Sequence, residues 1–213
     1  MKTERRDLPR QAILVITPGM HRLKAPQRRE QLIEVATRIF AKWGYNAATT
    51  AEIADAAGVT EPILYRHFNS KQDMYVAITR AMSEQTLRRW HELIDRSSSS
   101  TEKIRTIARQ FPNHIRACED AYHVIHGALA TSRDRKVLSV IKEHYSEIEQ
   151  FFCKIIIDGQ KAGEFSKDLN PNVPAWQLIN IGIGYAMIAL NLRQFDHFSV
   201  EDSIEYILRG LKK

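Results

Sequence analysis

The fold of this chain is decided by residues 49–71, TTAEIADAAGVTEPILYRHFNSK. Thr49 and Glu52 have the spacing of a capping box, in which a hydroxyl and a carboxylate each satisfy an N–H group of the first helical turn. Gly58 follows as a stop signal, because glycine adopts the left-handed backbone that commonly ends a helix without a steric penalty. The stretch therefore begins with a short helix that ends in a tight turn.

A second short helix is predicted to begin at Thr60, whose side chain can cap it, with Pro62 in the first turn, where no N–H is needed. The apolar residues can close a small core: Ile53, Ala54, Ala57, Val59, Leu64 and Phe68. The remaining residues form a polar and aromatic outer surface: Thr60, Glu61, Pro62, Tyr65, Arg66 and His67. A turn of this length is typical of a helix-turn-helix, whose second helix reads base edges in the DNA major groove.

This stretch resembles the DNA-binding motif of the TetR family of transcriptional regulators. The matching residues follow the family's order and spacing: Gly44-Tyr45, Thr49-Thr50, Ile53-Ala54, Ala57-Gly58-Val59-Thr60, Leu64-Tyr65, His67-Phe68 and Ser70-Lys71. The resemblance implies that Thr49 belongs to the DNA-binding surface and that phosphate contacts come mainly from Thr50, Thr60, Tyr65, His67 and Lys71. It also implies that the residues nearest to base edges are Glu61, Pro62 and Arg66.

Two residues depart from the common pattern of that family. Many members have a basic residue at the position of Glu61 and a glycine at the position of Pro62, so the base preference of a relative does not transfer. Glu61 could accept a hydrogen bond from cytosine N4. Alternatively, its carboxylate could simply favour the positive end of the helix dipole.

The positive charge is concentrated in the first third of the chain. Residues 1–71 contain 12 Lys and Arg against 7 Asp and Glu, whereas residues 72–213 contain 19 against 18. This surplus suits phosphate neutralisation, although a solvated basic surface would have the same composition. Residues 1–26 form a basic N-terminal extension, which is either a DNA-contacting arm, a disordered tail or, with Met20 as the true start, not part of the protein.

The rest of the chain is predicted to be helical. Residues 27–71 form a three-helix head, which begins with a helix over residues 27–43, and residues 72–213 form a larger helical-bundle body for effector binding and dimerisation. Ser97–Ser100 is predicted to be a linker, Pro112 to kink or interrupt a helix, and residues 164–174 to form a loop. No strand pattern of useful length occurs, so the predicted fold class is all-α.

The last two predicted helices have the composition of a subunit interface. Residues 175–192 carry no charge and are apolar around most of the circumference, but polar residues and glycines make them a poor membrane span. In the TetR family the last two helices of each subunit form a four-helix interface. The resemblance therefore implies a homodimer, with these candidate interface residues: Ile181, Gly182, Tyr185, Ala189, Ile204, Ile207, Leu208 and Leu211.

The resemblance also implies a small-molecule effector that binds inside the body. The candidate lining residues mix aromatic, apolar and imidazole side chains: Met82, Trp90, Phe111, His114, Tyr122, His123, His126 and Phe152. Each of them could equally be plain core, because such residues fill most helical cores. His123 and His126 share a helix face, but no carboxylate or thiol follows at a recognised ligand spacing, so no metal site is predicted.

Other functions have little support in the sequence. The chain contains no nucleophile elbow, phosphate loop or His-Glu-x-x-His motif, so neither an enzyme nor a cofactor is predicted. Cys118 and Cys153 are expected to be reduced thiols, and the early apolar run is too short for a secretory signal, so a cytoplasmic protein is expected. The function that the sequence favours is a repressor released from a near-palindromic operator by an effector; the alternative is an architectural or cell-cycle DNA-binding protein without an effector.

Overall fold

A computed structural model describes residues 23–94, 99–192 and 199–212. These ranges contain nine α-helices and no strand, which confirms the all-α prediction: α1 Ala25–Ala47, α2 Thr50–Ala56, α3 Glu61–Tyr65, α4 Lys71–Ile94, α5 Ser100–Ala117, α6 Glu119–Thr131, α7 Arg135–Lys161, α8 Asn172–Asn191 and α9 Val200–Leu211. Most of the predicted N-terminal extension and the first half of the predicted serine linker lie outside the described residues.

Helices α1, α2 and α3 form a small head around one apolar core. The buried side chains of α1 pack behind the two short helices, together with five of the six predicted core residues: Leu32, Val35, Ala36, Ile39, Phe40, Ile53, Ala54, Ala57, Leu64 and Phe68. Val59 is only partly buried. Trp43, the last apolar residue of the α1 pattern, is 48% exposed because the chain leaves helical geometry at Gly44, and the Lys42 ammonium lies 4.7 Å from its ring centre.

The two short helices begin and end largely as the sequence predicts. The Thr49 hydroxyl accepts a hydrogen bond from the Glu52 N–H at 3.2 Å, and the Glu52 carboxylate accepts one from the Thr49 N–H at 2.9 Å. Gly58 has a φ of +67°, so the turn uses the left-handed backbone that glycine permits. The predicted side-chain cap at Thr60 is wrong: only its carbonyl accepts from the first turn of α3, which leaves the hydroxyl on the surface.

Two sets of contacts hold the start of α4, and with it the head, against the rest of the body. The first set is the packing of α1 against α6, together with a hydrogen bond from α4 to α6. In this bond the buried Tyr75 hydroxyl donates to the Val124 carbonyl at 2.5 Å. The second lies where the start of α7 meets the start of α4, through the Lys136–Asp73 ion pair and the Gln72–Asp134 hydrogen bond, both at 2.5 Å. The head therefore rests on two helices of the body as well as on the continuous α4.

Helices α5 to α9 complete the body, with two departures from the predicted elements. Helix α5 continues through Pro112, so of the two predicted effects, a kink or an interruption, the interruption does not occur. Helix α8 begins at Asn172, within the predicted loop, because Pro174 fits its first turn, where no intrahelical acceptor waits for an N–H. Glu164, in the connection before α8, accepts hydrogen bonds from the Ser100 and Thr101 N–H groups at 2.9 Å and thereby fixes the start of α5.

One histidine is enclosed in the core of the body. His144 of α7 is only 4% exposed, and its Nδ1 has no hydrogen-bond partner among the described residues. Burial, together with the positive charge of a protonated His126, lowers the pKa of its imidazole to about 4. The ring is therefore neutral at physiological pH.

Acidification is expected to destabilise the chain through His144. The pKa of the ring rises from about 4 in the fold to its ordinary 6.5 on unfolding, so unfolding takes up a proton between these pH values. The contribution of the neutral ring to the free energy of unfolding is complete above pH 6.5 and is lost as the pH falls towards 4. At about 1.36 kcal/mol per pH unit, the loss amounts to roughly 3 kcal/mol.

Urea unfolding at about pH 7 and about pH 5 measures this effect, since the difference falls inside that window. His144→Gln should lose less stability than the wild type between the two pH values. His91→Gln is the matched control, because His91 is an exposed histidine of α4. Equal pH dependence of the wild type and His144→Gln would show that His144 does not titrate as described.

Candidate DNA-binding surface and effector cavity

A hydrogen-bonded network links α2 and α3 on the surface of the head. The Thr50 hydroxyl donates to the Glu61 carboxylate at 2.5 Å, and the Tyr65 hydroxyl donates to the Thr50 hydroxyl at 3.2 Å. Glu61 is the first residue of α3, where a negative charge also favours the positive end of the helix dipole. The network therefore fixes the position of the Glu61 carboxylate relative to both helices.

Lys71, the first residue of α4, holds the end of α1. Its ammonium donates to the carbonyls of Ala48 at 2.8 Å and Asn46 at 3.5 Å and lies 4.6 Å from the centre of the Tyr45 ring. Burial lowers its pKa, while the charge of Glu52 acts in the opposite direction. A lysine so engaged has a structural role in the head before any DNA is present.

The other predicted DNA-binding residues differ in how free their side chains are. Thr60, Pro62, Tyr65 and Arg66 are exposed, whereas the network members Thr50 and Glu61, together with His67, are partly buried. Thr49 is exposed but engaged in the cap of α2. Arg29 of α1 adds a cation beside α3, with its guanidinium carbon 4.9 Å from the centre of the Phe68 ring. The surface thus combines fixed polar groups with free basic ones.

The body contains a cavity between α4, α5, α6, α7, α8 and α9. Its empty volume is about 660 Å³, including the solvent at its mouth. The lining is mostly apolar and aromatic: Met82, Trp90, Ile104, Ile107, Ala108, Phe111, Tyr122, Ile125, His126, His144, Tyr145, Ile148, Phe152, Leu178, Ile179, Ile181, Gly182, Ile183, Val200 and Ile204. Gly182 makes room in it, because a Cβ there would lie 3.1 Å from Cζ of Phe111.

Six of the eight predicted lining residues border this cavity: Met82, Trp90, Phe111, Tyr122, His126 and Phe152. The other two lie elsewhere. His114 Nε2 lies 3.1 Å from the Thr86 hydroxyl and borders an outer groove with Arg88 and Arg89, and His123 Nε2 lies 3.7 Å from the Glu119 carboxylate. The residues missed by the sequence analysis come largely from α5, α7 and α8. For the lining residues of α7, the sequence did contain a signal: the apolar stripe of that helix, which includes Ile148.

The polar groups of the cavity are uncharged at physiological pH. The lining residues include no Lys, Arg, Asp or Glu. Burial lowers the pKa of His126 and His144, raises that of Tyr145 to about 12 and raises that of Tyr122 further. The cavity can therefore accept an apolar molecule with a few neutral polar atoms.

Neither histidines nor cysteines form a metal centre in the part of the chain that the structure describes. No three His, Cys, Asp or Glu side chains meet there in a way that could hold an ion. Cys118 and Cys153 are both free thiols, and burial raises the pKa of each. The cavity and the head surface are therefore the two candidate sites within the described residues.

The outer face of α8 is apolar and uncovered. Val173, Trp176 and Met187 are 57%, 39% and 49% exposed and are spaced by three and four residues together with Asn180 and Gly184. A Cβ at Gly184 would meet nothing within 4 Å. By length and composition α8 could cross a membrane, with a mean hydropathy of 1.4 and 28% of its most apolar window buried in the chain.

The residues predicted for a subunit interface mostly belong to the chain's own interior. Ile204, Leu208 and Leu211 are buried because the apolar stripe of α9 packs against α5. Ile181 and Gly182 line the cavity, and the Tyr185 ring lies 6.1 Å from that of Phe111. Ala189 and Ile207 are partly buried. Three of the eight residues predicted for the interface are therefore buried within the single chain, and two more line its cavity.

Comparison with known proteins identifies the family of the head. Residues 32–78 match the family model described as bacterial regulatory proteins, tetR family. The transcriptional activator FasR of Mycolicibacterium smegmatis is 31% identical over 105 residues, 49% of this chain and 48% of that protein. The transcriptional repressor KstR2 of Rhodococcus jostii is 26% identical over 150 residues, 67% of this chain and 70% of that protein.

The fold of the whole chain is also found in this family. The regulator FadR from Bacillus subtilis, determined in complex with stearoyl-CoA, is similar with a TM-score of 0.72 and 20% identity, over 85% of this chain and 96% of that one. These relatives are named as regulators of transcription and not as enzymes. The chain spans about half the length of FasR. The head of the chain therefore belongs to the TetR family of bacterial regulatory proteins, and the helical body that follows it has the fold of solved regulators of transcription.

Proposed function

We propose that this chain represses transcription by binding a near-palindromic operator as a homodimer, and that a small apolar effector releases it from the DNA. The head is residues 27–71 and the effector-binding and dimerisation body is residues 72–213. The observation that carries the proposal is the combination, in one chain, of a polar helix-turn-helix surface with a cavity in the body that supports it. The alternative, an architectural DNA-binding protein, would need no such cavity.

DNA binding is proposed to use the face that carries α3. Thr60, Tyr65 and Arg66 are exposed there, and Thr50 and His67 lie beside them at the edges of the helix pair. Hydroxyl, imidazole and guanidinium groups suit phosphate oxygens. Lys71 supports this face from behind by fixing the end of α1, so its phosphate contact is secondary in our proposal.

Glu61 is proposed to read a base. A carboxylate beside phosphate-binding groups weakens binding to the DNA backbone, so its presence at the start of α3 needs a compensating contact. Cytosine N4 is a donor in the major groove and suits a carboxylate oxygen. One Glu61 oxygen already accepts from Thr50, which fixes the direction in which the other can accept.

Dimerisation is proposed to cover the outer face of α8. Its apolar stripe is uncovered in the single chain, and Gly184 in the middle of that stripe allows a partner helix to approach closely. A two-fold dimer would place two recognition helices roughly 34–36 Å apart, one turn of DNA. The operator is accordingly expected to be a near-palindrome.

Effector release is proposed to act through the helices that border both the cavity and the head. Helix α6 lines the cavity with Tyr122, Ile125 and His126, and its Val124 carbonyl holds Tyr75 at the base of the head. A ligand that moves α6 therefore changes the packing of α1 and α4. The structural neighbour FadR was determined with stearoyl-CoA, which supports a lipid-like effector.

Selection of bound sites from random duplex DNA, at two salt concentrations, tests the proposed function. A near-palindromic site that survives the higher salt is expected, because base contacts add to the salt-sensitive phosphate contacts. Binding that is only salt-sensitive, without a shared motif, would favour the architectural alternative.

Glu61→Gln should change this selection. The variant keeps the shape of the side chain but loses its charge, so we expect a weaker preference for cytosine at one position of each half-site, by roughly 1–3 kcal/mol, and tighter binding to random DNA. Glu201→Gln is the matched control, since Glu201 is likewise an acid in the first turn of a helix, in α9. A selected motif identical to that of the wild type would leave Glu61 with only its helix-dipole role.

Gly184→Trp should separate the subunits. A large side chain in the middle of the α8 stripe prevents close approach of the partner helix. Sedimentation equilibrium should therefore give a dimer for the wild type and a monomer for the variant. Gly127→Trp is the control, because a Cβ at this exposed glycine of α6 also meets nothing within 4 Å. A Gly184→Trp dimer as stable as the wild type would place the interface elsewhere.

A further inference from the structure

His144 has an unused hydrogen-bonding capacity at the wall of the cavity. Its ring lines the cavity, it is 96% buried, and Nδ1 has no partner among the described residues. An unpaired polar atom in the core normally costs about 1–3 kcal/mol. Within the described residues it is the only buried side-chain nitrogen or oxygen in this condition.

The polar groups nearest along the chain are already engaged. Glu147, one turn further along α7, accepts a hydrogen bond from Ser83 at 2.5 Å, and the Thr79 hydroxyl donates to the Tyr75 carbonyl at 3.2 Å. The neighbouring ring of Tyr145 packs edge-on against His144, with the ring centres 5.1 Å apart. His144 borders two spaces: the apolar cavity, and a groove that is also lined by Arg80, Glu84, Glu143 and Glu147.

The charge of the cavity restricts what can satisfy His144. No cation lines the cavity, and both of its histidines are neutral at physiological pH, so a buried carboxylate or phosphate would find no counter-charge. A neutral imidazole carries one N–H donor and one acceptor. It can therefore donate to a carbonyl or accept from a hydroxyl without any ionisation.

We propose that His144 is the polar anchor of the effector and that the effector is an apolar molecule with an uncharged oxygen, such as a ketone, an ester or an alcohol. His126 also lines the cavity and supplies a second neutral polar group there. An apolar molecule that ends in a free carboxylate is excluded from the cavity. This inference rests on the proposed role of the cavity as the effector site.

Two sets of probes test the ligand class. The linear set is methyl laurate, lauric acid and dodecane; the compact set is camphor and its parent hydrocarbon camphane. Direct binding is followed by tryptophan fluorescence in the absence of DNA, because Trp90 lines the cavity. Release of the selected operator is measured separately by fluorescence anisotropy. The binding measurement tests only whether His144 anchors the ligand. The release measurement tests whether the ligand controls DNA binding.

The wild type should bind methyl laurate or camphor about two- to tenfold more tightly than the matching hydrocarbon, as one hydrogen bond to a neutral group allows. Lauric acid should bind more weakly than its methyl ester. His144→Phe, which keeps a ring of similar size, should bind the oxygenated probe and the hydrocarbon equally. His144→Gln, which keeps a donor and an acceptor, should restore part of the preference.

Each outcome decides the inference. An unchanged preference in His144→Phe, tighter binding of lauric acid than of its ester, or no binding of either oxygenated probe would overturn it. Preference that depends on His144, without any release of DNA, would support the anchor and contradict effector-controlled repression. The thermal midpoint of His144→Phe at neutral pH verifies that this variant is folded.

Discussion

The hydrogen bond between the Tyr75 hydroxyl and the Val124 carbonyl is the contact on which the rest of the molecule depends. It crosses from the first turns of α4 to the middle of α6, in a buried setting where either group left alone would be costly. The rings of Phe40 and Tyr45 pack around it, at 6.0 and 5.3 Å from the ring of Tyr75. Lys71 extends the cluster to the end of α1. One desolvated cluster thus sets the angle of the DNA-binding head on the body.

The cavity is lined by the same helices, which explains how a small ligand bound there could change the position of the head. Trp90 and Met82 of α4 and three residues of α6 line it, so both partners of the Tyr75 contact belong to elements that a ligand would touch. Small shifts of packed helices are transmitted as discrete rearrangements because cores have little free volume. A second set of contacts, between the starts of α4 and α7, also ties the first turn of α4 to the body.

Sequence reasoning found the head more completely than the body. Capping signals, Gly58 and the apolar spacing are local, and they predicted the turn and almost the whole head core correctly; the side-chain cap at Thr60 failed, and Val59 is only partly buried. The cavity depends on which sides of six helices meet, which no local pattern records. For that reason His114 and His123 were predicted to line it and lie elsewhere, while His144 was missed. The same limit applies to Ile204 and Leu208, which are buried where α9 packs against α5.

One side of helix α8 borders the cavity, and its other side forms the proposed dimer interface. Ile181, Gly182 and Ile183 border the cavity, while Val173, Gly184 and Met187 form the uncovered outer stripe. In the proposed dimer, filling the cavity and pairing two subunits would therefore act on the same helix, and thermodynamic linkage makes such effects reciprocal. A ligand that strengthens or weakens the pairing of α8 must itself bind more or less tightly as subunits pair. The sensitivity of the regulator to its effector would then vary with its own abundance in the cell.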